Sequence, residues 1–120
     1  MTDRLVWPFE NDGFREVKPG MRRRIYNGDN VSLCFWRIEE RAGPTPYDGH
    51  PHNEQFGLII RGQLDFRLGS DERRLLKPGD VYYAPMGVPH GDSHFIPDPE
   101  TGDTWIMDIF SPVREDYRNG

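Results

Sequence analysis

The chain predicts an all-β domain, on three grounds. It carries 13 glycines and 11 prolines against 35% hydrophobic residues, which suits short strands joined by many turns better than a helical bundle. Apolar and polar residues alternate over short stretches, with turn signals between them. No apolar repeat of helical period lasts longer than about two turns. A length of 120 residues provides for one core and leaves no room for a second domain.

The expected organisation is an N-terminal arm over residues 1–20, one domain over residues 21–117 and a short tail over residues 118–120. Trp7, Phe9 and Phe14, spaced by charges and prolines in the arm, predict anchors packed on a surface. Residues 22–26 lead into Asn27-Gly28-Asp29-Asn30, a strong hairpin signal, followed by residues 31–39. In that second strand Val31, Leu33 and Phe35 share one face, and Ser32, Cys34, Trp36 and Ile38 the other. Both faces carry apolar residues, as expected of a strand between a barrel interior and either the arm or a second subunit. Residues 42–46, with two prolines and a glycine, read as a loop. Residues 56–60 form an apolar run ending at Gly62. Leu64, Phe66 and Leu68 then alternate with Gln63, Asp65 and Arg67. Turns at residues 69–71 and 77–80 bracket a return strand, and residues 81–84 form another. Residues 97–102 form a turn-rich loop, and residues 104–110 the last clear strand.

The net charge of −5 argues against non-specific nucleic-acid binding. Cys34 is the single cysteine, so no intramolecular disulfide forms. No signal-peptide pattern and no apolar run of membrane-spanning length is present. The expectation is a cytoplasmic protein acting on a small molecule, without nucleic-acid or membrane partners.

The four histidines, His50, His52, His90 and His94, fall in two short segments. The first reads Asp48-Gly-His50-Pro-His52-Asn-Glu54-Gln55 and runs on to Gly62. On an extended chain His50 and His52 would share a face about 7 Å apart and converge on one ion. The second, from Gly79 to His90, has the spacing G-x5-P-x-G-x2-H. Neutral imidazoles suit divalent first-row metals, which favours His50 and His52 as the first ligand pair over Asp48 and His50. Asp108 lies among large apolar residues on the last strand, where burial raises a carboxyl pKa toward the range of a general acid or base. Arg114 offers a planar fork for a substrate carboxylate, or alternatively a structural ion pair. Tyr26, Trp36, Tyr82, Met86 and Phe95 are candidates for the walls of a substrate pocket, though such residues more often serve a core. Cys34 reads as a small buried hydrophobe rather than a nucleophile.

These two segments resemble the paired motifs of the cupin superfamily. The second fits through His90 and departs at its last position, where His94 replaces an Asn. In the first, Gln55 occupies the usual Glu position. Residues 65–69 and the ending from Asp108 to Tyr117 resemble small single-domain cupins of the pectin-degradation type, which convert unsaturated uronates into linear keto sugar acids. The resemblance implies a double-stranded β-helix, or jelly roll, and a homodimer. It implies one divalent metal, Zn, Ni, Mn or Fe, held by His50, His52, Gln55 and His90. Asp108, Phe110 and Arg114 match positions that shape the active site. The implied activity is that of an isomerase, tautomerase or lyase. An iron-dependent dioxygenase, an aromatic polyketide cyclase and a non-enzymatic sugar- or effector-binding module stand as alternatives, because one fold hosts many chemistries.

Overall fold

The computed structural model describes residues 5–118. The first four residues of the arm and the last two of the tail lie outside them. Among the described residues ten strands form two antiparallel sheets: β1 Arg15–Lys18, β2 Met21–Asn27, β3 Ser32–Ile38, β4 Tyr47–Asp48, β5 Glu54–Arg61, β6 Gln63–Leu68, β7 Arg73–Leu76, β8 Val81–Ala84, β9 His90–Ile96 and β10 Thr104–Ser111. The larger sheet runs β1-β2-β3-β10-β5-β8 and the smaller β4-β9-β6-β7. Helical structure among the described residues is limited to three short 3₁₀ turns, and no helix is long and apolar enough to cross a membrane. This is the expected jelly roll.

The β2–β3 hairpin closes where Asn27-Gly28 predicts it, with Asn27 opposite Ser32 and the Gly28 amide donating to the Val31 carbonyl. Alternation then sorts side chains between inside and outside. Cys34, Ile38, Ile59, Leu64, Phe66, Phe95, Ile106 and Phe110 fill the interior. Burying each such side chain contributes about 1.5–3 kcal/mol before chain entropy is counted.

Outside the larger sheet, Phe9 and Phe14 of the arm pack on Phe35, and Phe9 stacks on Trp105. Arg37 pins the arm from beneath. It is buried, lies over Trp105 and Phe14, donates to Asn11 at 2.9 Å and pairs with buried Asp103 at 2.9 Å. Trp105 Nε1 donates to the other Asp103 oxygen at 2.7 Å. Residues 15–18, within the expected arm, form edge strand β1 and pair with β2.

One irregularity matters for the site. Between Asp65/His94 and Arg67/Gly91 the β6–β9 register slips, with three residue steps on β9 against two on β6. Asp92, at φ +47°, sits in this bulge and pairs outward with Arg67 and Arg73. A bulge adds one residue and inverts the facing of everything beyond it.

Candidate active site

A cavity of about 330 Å³ lies between the two sheets. Its polar end gathers His50, Gln55, Tyr82, His90, Asp108 and Arg114, beside Trp36, Phe110 and Tyr117. Exposed Lys18, Pro46 and Asp48 stand at its rim, and Ile38, Leu64, Phe66, Phe95 and Ile106 form its apolar wall.

The polar end is built from inward positions of β3, β5, β8 and β10. Gln55 lies opposite Ala84 and Phe110, and Asp108 opposite Cys34 and Gly57. Gly57 leaves the space that Tyr82 occupies: a Cβ there would lie 2.0 Å from the Tyr82 ring. The ring therefore packs against the Gly57 backbone and brings its hydroxyl between two partners. Gln55 Nε2 donates to Tyr82 Oη at 2.8 Å, and Tyr82 Oη donates to Asp108 Oδ1 at 3.1 Å. Trp36 Nε1 donates to Asp108 Oδ2 at 3.1 Å.

Burial pushes the Asp108 carboxyl up to about 6, against the opposing pull of the Tyr82, Gln55 and Trp36 donors and the Arg114 charge. Burial, reinforced by Arg114 and His90, drives His50 down to about 4. His90 is lowered as well, chiefly by burial. Both imidazoles are thus neutral near pH 7, as ligands must be.

Several features fit a divalent ion. The His50 and His90 rings lie 5.1 Å apart. His90 Nδ1 sits 3.2 Å from the Val88 carbonyl; because that oxygen only accepts, Nδ1 carries the proton and Nε2 keeps its lone pair for a ligand. Gln55 Oε1 is buried with no hydrogen-bond partner, the condition of a donor atom whose partner is an ion or substrate. Among the described residues no three His, Cys, Asp or Glu side chains form a ligating cluster, so the imidazole pair depends on the Gln55 amide as third donor.

Some of the remaining candidates line the cavity and others fall elsewhere. His52 does not join His50: β4 ends at Asp48, residues 51–52 turn, and the two-residue alternation assumed for the pair has no strand to act on. His52 instead lines a separate surface hollow with Asp29, Asn53, Glu115 and Asp116. The cavity holds Asp48 and His50, the other register of the motif. His94 points to solvent opposite Asp65, because the Asp92 bulge reverses β9 between it and His90. Tyr26 lies on the outer face, edge-on to Trp7 at 5.5 Å, and does not wall the cavity. Met86 is exposed and absent from the lining. Trp36, Phe110, Tyr82 and Phe95 do line it. Arg114 reaches the cavity, but its Nε and Nη2 donate to Asp116 and its Nη1 to Tyr117 Oη. Tyr117 and Ser93 line the site without any signal in the sequence beyond the shared ending.

Comparison with known proteins agrees with this architecture. The family described as Cupin domain matches residues 34–93, half of the chain. The pectin degradation protein KdgF of Dickeya dadantii (strain 3937) is 28% identical over 106 residues, spanning 87% of this chain and 89% of that one. The structure of KdgF from Halomonas sp. matches with a TM-score of 0.75 at 26% identity, over 90% of this chain and 96% of that one. An RmlC-like cupin from Shewanella frigidimarina gives a TM-score of 0.77 at 18% identity over 95% and 96%, a likeness of fold alone. With the family matched along half of its sequence and the barrel along most of its length, the chain belongs to the cupin family.

Proposed function

We propose that this cupin is a metal-dependent isomerase acting on a small oxygenated acid of the unsaturated-uronate class. The observation that carries the reading is the buried Asp108 carboxyl, with its pKa near 6, in the same cavity as His50, Gln55 and His90. Likeness to pectin degradation proteins supplies the substrate class.

His50, His90 and Gln55, with Asp48 at the rim, would hold the divalent ion, Zn, Ni, Mn or Fe. Bound there, it would polarise a substrate carbonyl or hydroxyl as a Lewis acid. Linearising an unsaturated uronate is an isomerisation: the anomeric hydroxyl loses a proton, the bond from that carbon to the ring oxygen breaks, and the enol so released becomes a ketone as its carbon gains a proton. One group that first accepts and then returns a proton satisfies this balance. Asp108 is that group. Tyr82 and Trp36 fix both of its oxygens and stabilise the carboxylate that is present before the first transfer and restored by the second. Arg114, anchored by Asp116, holds a fixed positive charge that adds to burial, the larger cause, in keeping His50 and His90 unprotonated. The apolar wall excludes water from the open-chain product.

A homodimer belongs to the same reading. Val81 and Tyr83, with Phe56, stay exposed on the outer face of the larger sheet, beyond the part the arm covers; light scattering on the purified protein measures the mass.

The test is elemental analysis of protein purified without a metal-affinity tag, together with turnover of an unsaturated uronate by wild type and Asp108→Asn. About one equivalent of metal in both proteins, and a rate lower by about 10²–10⁴ in the variant, are expected. Stoichiometric iron with oxygen consumption would replace the reading by a dioxygenase. Protein that neither holds nor takes up metal would leave a binding module.

A further inference from the structure

A primary amide has two unlike ends of nearly equal shape, and only its oxygen can hold a cation. Gln55 can therefore serve an ion only if something decides which end faces the imidazoles. The hydrogen bonds around Tyr82 make that decision link by link. Trp36 Nε1, which only donates, gives its proton to Asp108 Oδ2 at 3.1 Å. Oδ1 of the same carboxylate, which only accepts, takes the Tyr82 proton at 3.1 Å. A phenol has one proton, so toward Gln55 the hydroxyl offers lone pairs alone. Gln55 must then present Nε2 to it, as it does at 2.8 Å. The amide turned end for end would set two oxygens against each other across that contact. Oε1 is left at the other end, buried and without a partner, in the part of the cavity that holds His50 and His90. Packing fixes the hydroxyl itself. Tyr82 lies opposite Gly57, in the space that glycine leaves, and Phe66 meets its ring edge-on at 4.9 Å.

We infer that Tyr82 is a positioning residue for the metal site: with its proton committed to Asp108, its hydroxyl holds the Gln55 amide so that Oε1, and not Nε2, faces the ion. The inference rests on the metal-site reading above and deepens it, by naming what makes a neutral amide a usable ligand in this chain. Partners of this kind orient a ligand before the ion arrives, and their loss typically costs about 10–100-fold in metal affinity. Gln55→Glu would need no such partner, because both ends of a carboxylate are oxygens. It would also contend with Asp108 for the single Tyr82 proton. The need for Tyr82 thus belongs to the amide, and that dependence separates this role from one of shape.

Zinc and nickel are each titrated by competition calorimetry at neutral pH into chelator-stripped wild type, Tyr82→Phe, Gln55→Glu and the double variant. Melting curves verify that each protein is folded. Tyr82→Phe is expected to weaken metal binding by about 10–100-fold, whereas in the Gln55→Glu background the same change should matter by less than about threefold. A second measurement reads the amide without metal. Gln55 and Gln63 are the chain's two glutamines, so the Gln55 side-chain amide signal in isotope-labelled protein is the one that vanishes in Gln55→Glu. Exchange of its protons with water should quicken by about tenfold in Tyr82→Phe, as their acceptor is lost. Equal weakening in both backgrounds would overturn the assignment, and Tyr82 would only shape the cavity. Metal binding and amide exchange unchanged in Tyr82→Phe would overturn it as well, and leave the nearby Asp108 charge to hold the amide. Wild type that takes up neither metal would sink the metal reading and this role with it, whereas intact wild-type binding that Tyr82→Phe does not weaken would sink this role alone.

Discussion

Replacing Tyr82 by Phe isolates the hydrogen-bond network of the site without changing its shape. The hydroxyl accepts from Gln55 at 2.8 Å and donates to Asp108 at 3.1 Å. Gln55 is buried and Asp108 half-buried, so deletion leaves an amide donor and a carboxyl oxygen without that partner. An ordinary hydrogen bond contributes about 1 kcal/mol net and one to a charged group about 1.5–3 kcal/mol. Relief from burying the hydroxyl itself offsets part of this, giving an expected loss of about 2–3 kcal/mol. For a chain of this length that lowers Tm by roughly 10 °C. Urea unfolding should show a lower midpoint with unchanged m-value, because the exposed surface on unfolding does not change. Turnover should fall too, since Asp108 loses one of the two donors that aim it. A destabilisation below about 0.5 kcal/mol would refute the network as described, and would place water or solvent where the hydroxyl is drawn.

His50→Ala and His90→Ala should each abolish stoichiometric metal, whereas His52→Ala should retain it, as read by elemental analysis after dialysis; loss in His52→Ala would restore the register that the sequence favours. Cys34 is fully buried, and burial, with the Asp108 charge beside it, pushes its thiol up to about 12. It should therefore stay unreactive toward a disulfide reagent at pH 8 in the folded protein, and react within the dead time once urea unfolds the chain. Asp103→Asn removes the counter-charge of buried Arg37 and should cost about 3–5 kcal/mol in equilibrium unfolding, with faster proteolysis in the arm that Arg37 holds through Asn11.

The legible parts of the fold were those where pattern and turn chemistry are local. Asn27-Gly28 marks a hairpin whatever surrounds it, and the alternation of residues 32–38 sorts Cys34, Trp36 and Ile38 inward because no irregularity interrupts β3. Asp108 was legible for the same reason, as a carboxylate at an inward position of an unbroken strand. The reading of His50 with His52 assumed a strand where β4 is two residues long; a turn follows, and turns do not preserve facing. Tyr26 is a wall candidate by residue type alone, while its register opposite Leu33 puts it on the outer face. The commitment of Arg114 to Asp116 depends on how the C-terminal 3₁₀ turn Glu115–Tyr117 packs against β2 and β3, which no local pattern encodes.

The bulge at Asp92 links two surfaces that share no contact. On the outside, Asp92 is the hub of a charged lattice, accepting from Arg67 and Arg73, which Asp65 and Asp71 extend. On the inside, the same residue's backbone decides that Ser93 and Phe95, and not His94, face the cavity. On a regular β9 of the same residues, alternating from His90 without the bulge, His94 would face inward and Ser93 and Phe95 outward. The interior of this barrel is thus partly written on its exterior: selection acting on surface charge at Asp92, Arg67 and Arg73 also acts on what the cavity can hold, with no substitution inside it.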